Sequence, residues 1–451
     1  MTSIENYVEA NRTRWLDELF QLLRQPSIST RDEGVRECAS LLKKFMTEAG
    51  IAARILETDR HPVVYGEILR EGKPTLLVYG HYDCQPPEPL EEWLSPPFEP
   101  VIRNGKIYGR GTSDNKAQLF TYIKAVEALR QCSWELPLSV KFLFEGEEEI
   151  GSPSLNPFVA SHKDLLDADL VVYSDSHIHE TGRPLLILGL KGMLYVELTV
   201  RTSPRDQHSM RATSIPNPVW RLVWALSTLK DRDNRILIPG FYDDVLDPTP
   251  LEREAVTRIP CDEATLLRHF GIREFLPGRK TRDFYYNLVF EPTCNIAGII
   301  SGYVGPGSKT VLPSTASVKM DIRLVPKQDP DDIHRKLRAH LDAQGFPEIN
   351  ITMSHGTIQP SRTAIDHPAV AIIEESVRAV YGTDPVVFPN IGGSGPNYIF
   401  TETLGKPCIV IPHATYDQNN HAPNESMDLE GFFKGIRTGI AVIQNLAHRL
   451  L

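Results

Sequence analysis

The stretch Thr75-Leu-Leu-Val-Tyr-Gly-His-Tyr-Asp83 decides how this chain folds. A short apolar run closes on Gly80, and a histidine follows at once. A run with no polar residue interleaved suits a buried strand in a sheet covered on both faces. The pattern recurs downstream: Leu138 to Phe144 leads into Glu148 and Glu149, and Asp169 to Tyr173 leads into Asp175. Between them, Lys116 to Leu129 places Leu119, Phe120, Ile123, Val126 and Leu129 on one helical face, with Asp114 just ahead of it. Strand and helix signals in alternation predict an α/β domain, a sheet flanked by helices.

The texture changes after Lys191-Gly192. Leu194, Val196, Leu198 and Val200 alternate with more polar neighbours, and Val318, Met320, Ile322 and Leu324 do so again. Period-2 alternation marks strands with one wet face. A helix from about Pro218 to Leu229, a long excursion rich in Pro and Asp, a helix starting near Pro330 and a strand at 349–353 complete this region. They predict a small α+β sandwich of ferredoxin-like type. The α/β texture then returns, with helices at 367–381 and 429–446 and a strand at 408–411. A chain of 451 residues exceeds the ~100–200 typical of one domain. The expected organisation is a catalytic domain in two parts, 1–190 and 358–451, interrupted by a lid at 191–357.

Composition narrows the classes of function. A formal net charge of −10 repels phosphate backbones and argues against nucleic acid as a partner. No stretch approaches the ~18–20 apolar residues that span a bilayer, so no membrane association is expected. The opening residues carry two glutamates and no apolar core of a signal peptide, and the 6 cysteines form no C-x-x-C pair. Reduced thiols in a cytoplasmic protein are the expectation. Cys84, three residues after His81, reads as a pocket wall rather than a ligand.

The chemistry lies at the ends of the strands. In open α/β sheets, ligands bind beyond the carboxyl ends of the strands. That rim would collect His81, Asp114, Glu148, Glu149, Asp175 and, after the strand at 408–411, His421. Imidazole and carboxylate together suit zinc, manganese or cobalt, and a catalytic site keeps a position open for water. Two ions roughly 3.5–4 Å apart can share a carboxylate and a water, lower the pKa of that water and polarise a carbonyl. With two adjacent glutamates, one can hold metal while the other moves the proton. Four acids within 145–149 repel one another, a cost that a cation relieves. A serine-nucleophile elbow is not supported: Gly392-Gly-Ser394-Gly-Pro396 lacks the last glycine of G-x-S-x-G.

Three motifs carry a resemblance to a known family: Gly80-His-Tyr-Asp83, Gly109-Arg-Gly-Thr-Ser-Asp-Asn-Lys116 and Phe144-Glu-Gly-Glu-Glu-Glu-Ile-Gly-Ser152. With Ser174-Asp175, Gly307 to Pro313, Asp321 to Pro326, Gly392-Gly-Ser394 and His421 following in order, the chain resembles the M20 family of co-catalytic zinc metallopeptidases. It is most similar to the cytosolic non-specific dipeptidase and carnosinase branch. The resemblance implies a zinc-peptidase-like catalytic domain and a lid that also dimerises. It implies two divalent ions, with Asp114 bridging, His81 and Asp175 on one ion, and Glu149 and His421 on the other. Glu148 would be the general base, and Asp83 would orient His81. His208 would reach a partner subunit's site to stabilise the oxyanion, which implies a homodimer. Thr310, Arg323, His355 and Ser394 would contact substrate, Arg323 clamping a carboxylate.

The chain departs from the family pattern at three places. Ala117 stands for the usual glycine, Met210 for the glycine of His-Ser-Gly, and Asn390-Ile391 for an arginine–glutamate pair. The last change falls on a loop expected to line the substrate pocket. Amide hydrolysis of a small peptide is therefore expected, with hydrolysis of N-acyl amino acids as the alternative. A relative that binds without catalysis would be expected to have lost a ligand or the base, and all are present.

Overall fold

Alternation along the strands sets the layers. In the computed structural model, which describes residues 3–132, 136, 138–276, 279–354 and 357–449, Leu76 and Val78 point to one face of a sheet and Leu77 and Tyr79 to the other. The sheet has 8 strands in the order Ala52–Leu56, Val63–Ile68, Ser139–Glu145, Thr75–His81, Leu170–Tyr173, Cys408–Val410, Leu185–Ile187, Val386–Phe388. The middle four, from Ser139–Glu145 to Cys408–Val410, run parallel, so their carboxyl ends share one edge. Antiparallel pairing at Val63–Ile68 and at Val410 with Ile187 makes the sheet mixed.

The face carrying Leu76 and Val78 packs on a large core with the helices Ile4–Arg24, Val35–Glu48, Lys116–Gln131, Pro368–Tyr381 and Leu429–Arg449. The opposite face packs on Leu155, Phe158 and Val159 of a short helix and on Ile399 and Phe400. Both faces are thus covered, which is why the central strands show no alternation in sequence.

A second sheet of 4 antiparallel strands has the order Asn295–Ser301, Thr315–Leu324, Gly192–Arg201, Asn350–Met353. Its alternating residues, Leu194 to Val200 and Val318 to Leu324, bury against the helices Pro218–Leu226 and Pro330–Ala343. The Pro- and Asp-rich excursion carries three helices, Pro250–Thr257, Glu263–Phe270 and Thr281–Phe290. The first is fixed by a capping box between Thr249 and Glu252. Among the described residues, no helix is long and apolar enough to cross a membrane.

Gly80 shows how tightly fold and site are joined. A Cβ there would lie 2.9 Å from the Leu119 Cβ and 3.1 Å from the Asn115 Oδ1. The strand bearing His81 therefore presses directly on the helix start beside Asp114. Gly80→Ala is expected to destabilise by ~1–3 kcal/mol through overpacking. It should lower the denaturation midpoint and weaken metal retention after dialysis; a variant matching the wild type in both would contradict this packing.

Candidate metal centre

Parallel strands deliver the side chains. His81 is the last residue of Thr75–His81, and Asp175 stands two residues beyond Leu170–Tyr173. Glu148 and Glu149 form the short turn after Ser139–Glu145, and Asp114 precedes Lys116–Gln131 through a cis peptide to Asn115. His421 arrives from the loop after Cys408–Val410 in a left-handed conformation, φ 59°.

These residues form two groups that share Asp114: His81 with Asp114 and Asp175, and Asp114 with Glu149 and His421. Within each group the ligand atoms lie within 4.8 Å of one another. The His81 Nε2 is 3.1 Å from the Asp114 Oδ1 and 3.5 Å from the Asp175 Oδ2. The His421 Nε2 is 2.9 Å from the other Asp114 oxygen, Oδ2, and 3.2 Å from the Glu149 Oε2. Each oxygen of one carboxylate thus faces a different imidazole, the arrangement by which a carboxylate bridges two ions.

Charge makes the same point. Burial, opposed by His81 and reinforced by Asp175, Glu149 and Asp114, pushes the Glu148 carboxyl well above its usual range. Burial and the charge of Asp114 push Glu149 up to about 7. Hydrogen bonding to Asp114 and Glu149 raises His421 to about 10. His81 rises well above its ordinary value despite burial, because Asp114, Asp175 and Asp83 surround it. These opposed shifts are what crowded carboxylates and imidazoles show, and divalent cations would relieve them. The His81 Nε2 is buried without a hydrogen-bond partner and faces two carboxylates, as a metal-ligand nitrogen would. The donor set therefore fits a pair of divalent ions.

Support comes from a second ring of residues. The Asp83 Oδ1 is 3.2 Å from the His81 Nδ1, and its two oxygens accept from the backbone N–H groups of Glu148 and Glu149 at 3.2 and 3.1 Å. One carboxylate thereby orients a ligand histidine and fixes the Glu148–Glu149 turn. Gln85 donates to the Glu149 Oε2 at 2.8 Å, and the Tyr173 hydroxyl donates to the Asp175 Oδ2 at 2.7 Å.

Sequence reasoning missed Glu425 and Arg110. Glu425 is fully buried and accepts from the backbone N–H groups of Gly111, Ser113 and Asp114, at 2.9, 2.8 and 3.0 Å. Arg110, 1% exposed, pairs with it at 2.8 Å. This ion pair clamps the Asp114 loop to the segment carrying His421. Arg110 lay in a quoted motif, but nothing in the spacing marked Glu425 as its partner.

The acidic run is not one cluster. Glu145 accepts from the hydroxyls of Tyr79 and Ser152, and Glu147 accepts from the His61 N–H and from Ser154. Of this run, only Glu148 and Glu149 are left to serve the rim. Cys84 belongs to neither ligand group and donates weakly to the Ser27 carbonyl.

The expected substrate residues fall into separate places. The Arg323 Nη1 donates to the Ser394 Oγ at 2.8 Å, joining the second sheet to the glycine-rich loop of the first. His208 and Thr310 lie together at a separate two-stranded ribbon, where His208 pairs with Val311 and the Ser209 N–H donates to the Thr310 carbonyl at 3.3 Å. Among the described residues, no hydrogen bond or ion pair joins that pair to the metal ligands. His355 lies outside the described residues.

Comparison with known proteins gives a consistent result. The model of peptidase family M20/M25/M40 matches residues 77–445. The chain is 31% identical to the Cys-Gly metallodipeptidase of Schizosaccharomyces pombe over 466 residues, covering 98% of this chain and 97% of that protein. It is 30% identical to the Beta-Ala-His dipeptidase of Rattus norvegicus over 444 residues, 96% of this chain and 89% of the relative. Among solved structures, the M20 family metallo-carboxypeptidase Sso-CP2 of Sulfolobus solfataricus superposes with a TM-score of 0.89 at 38% identity, covering 96% of this chain and 99% of that one. The chain belongs to peptidase family M20/M25/M40.

Proposed function

We propose that this protein is a two-ion metallopeptidase acting on small peptides with a free carboxyl end. One observation carries the reading: Asp114 turns its two oxygens towards His81 and His421, with Asp175 beside the first and Glu149 beside the second. These five residues would hold the ions, for which zinc is proposed and manganese or cobalt also fits the donor set. Bound there, the pair supplies an activated water and polarisation of the scissile carbonyl.

Glu148 takes the proton from the attacking water and returns it to the leaving amine. Its place in the turn fixed by Asp83 keeps the carboxyl at the rim while leaving it out of both ligand groups. Asp83 positions His81 and moves no proton. Arg323, braced by Ser394, clamps the substrate carboxylate, with Thr310 and His355 completing the contacts.

His208 lies on a two-stranded ribbon with no hydrogen bond or ion pair to the metal ligands among the described residues, so its oxyanion role calls for the site of a second copy of the chain. A homodimer is supported by the edge strand Asn295–Ser301, where Ile296, Ile299 and Ile300 stand exposed beside unpaired backbone groups. We divide the chain as 1–190 and 358–451 for the catalytic domain and 191–357 for the lid, following the two larger sheets, of 8 and 4 strands. A cytoplasmic location fits six cysteines none of which forms a disulfide.

The named relatives include dipeptidases and a carboxypeptidase, and both kinds of substrate end in a carboxylate. A second reading, hydrolysis of N-acyl amino acids, is favoured by Asn390-Ile391, since Asn390 is buried and Ile391 packs on two apolar clusters, so neither offers a charged partner for a free α-ammonium.

Glu148→Gln should retain its metal yet lose on the order of 10²–10⁴-fold in kcat, since the water loses its proton acceptor. Near-normal turnover would remove Glu148 from this role. Free dipeptides compared with their N-acetylated forms at equal metal loading separate the two readings. Equal or better turnover of free dipeptides supports the dipeptidase reading, and a strong preference for the blocked forms supports the acyl one.

A further inference from the structure

A cavity of ≈560 Å³ lies between Arg323 of the second sheet and the inserted excursion, and none of the roles above uses it. Arg323 and Gly392 stand on its wall, so it opens beside the Arg323–Ser394 contact. The rest of the wall comes from the inserted excursion. Ile272, Phe275, Leu276, Phe284 and Leu288 supply an apolar surface. Lys191, Lys230, Lys280 and Arg323 supply positive charge, while Arg279 and Glu291, also on the wall, neutralise each other at 2.9 Å. Glu274 is the other acid of the lining.

The excursion is tied to the metal rim. The Tyr416 hydroxyl lies 2.5 Å from the His269 Nε2, and its ring meets His177 edge-on at 5.0 Å. His177 is two residues from Asp175, and Tyr416 five from His421. Phe270, next to His269, contacts Phe284 at 5.6 Å, and Phe284 lines the cavity. A continuous run of aromatic contacts therefore connects the ligand loops to the cavity wall.

We propose that this cavity receives the side chain of the substrate's C-terminal residue and selects large apolar or aromatic residues there. The inference rests on the peptidase reading above. With the α-carboxylate on Arg323, the next group in reach is the C-terminal side chain, and the excess of positive charge repels an ammonium. The apolar wall gains free energy only from a group that displaces water from it, roughly 25 cal/mol per Å² of apolar area buried. Glycine at the C-terminus leaves the cavity unfilled. A residue such as Phe or Leu fills it.

The test uses the metal-loaded protein and two parallel series, Ala-X and acetyl-Ala-X, in which X is Gly, Leu, Phe, Glu or Lys, read in whichever series is turned over, with the matching Phe amide as the uncharged form. kcat/KM for X = Phe or Leu should exceed that for Gly by at least about 10-fold, within the range one hydrophobic pocket supplies. The amide should be a poor substrate. Leu276→Asn, at a half-exposed position, and Phe284→Ala should each shrink the Phe-to-Gly ratio, chiefly through KM. A flat profile, or preference for Glu or Lys, overturns the cavity assignment while leaving a peptidase. Hydrolysis of neither series overturns both.

Discussion

Holding several carboxylates together, out of water, is the constraint on which the rest of this structure depends. Asp114, Glu148, Glu149 and Asp175 crowd one rim, and like charges at such distances cannot all remain ionised without a cation. Burial pushes the Glu148 carboxyl well up and lifts Glu149 to about 7, a cost of crowding that divalent cations would relieve. A fold free of this demand would have no reason to bury Glu425 and Arg110 beneath the Asp114 loop. Breaking a buried pair of that kind costs roughly 3–5 kcal/mol, because the remaining charge loses its partner.

The scaffold meets the constraint by alignment. Parallel neighbours bring His81, the Glu148–Glu149 turn and Asp175 to one edge without any long excursion of the chain. The carboxylate of Asp83 then ties the first two together, and Glu425 ties Asp114 to the His421 segment. Precision comes from buried hydrogen bonds to backbone N–H groups, which fix loops that side-chain packing alone would leave loose.

Much of this was legible in the sequence. His81, Asp114, Glu149, Asp175 and His421 could be grouped because strand-end positions in an α/β pattern converge, and the structure gathers them in two sets sharing Asp114. Both sheets were visible as well, one through unbroken apolar runs and the other through alternation. The direction of Glu145 and Glu147 was not, since a run of acids does not say which carboxyls find hydroxyl and N–H partners away from the rim. The Arg110–Glu425 pair spans 315 residues and has no local signature. The helices of the excursion were hidden by proline, which starts Pro250–Thr257 yet reads in sequence as a breaker.

The second sheet reaches the first through Arg323 and Ser394, so substrate would bind between a fixed metal rim and a surface on another layer. What unites the whole is the shared carboxylate. Calorimetric titration of metal-stripped protein with zinc tests it most directly. A shared Asp114 predicts two ions bound by the wild type, one by Asp175→Ala, and none at comparable affinity by Asp114→Ala. Two tight ions retained by Asp114→Ala would contradict it.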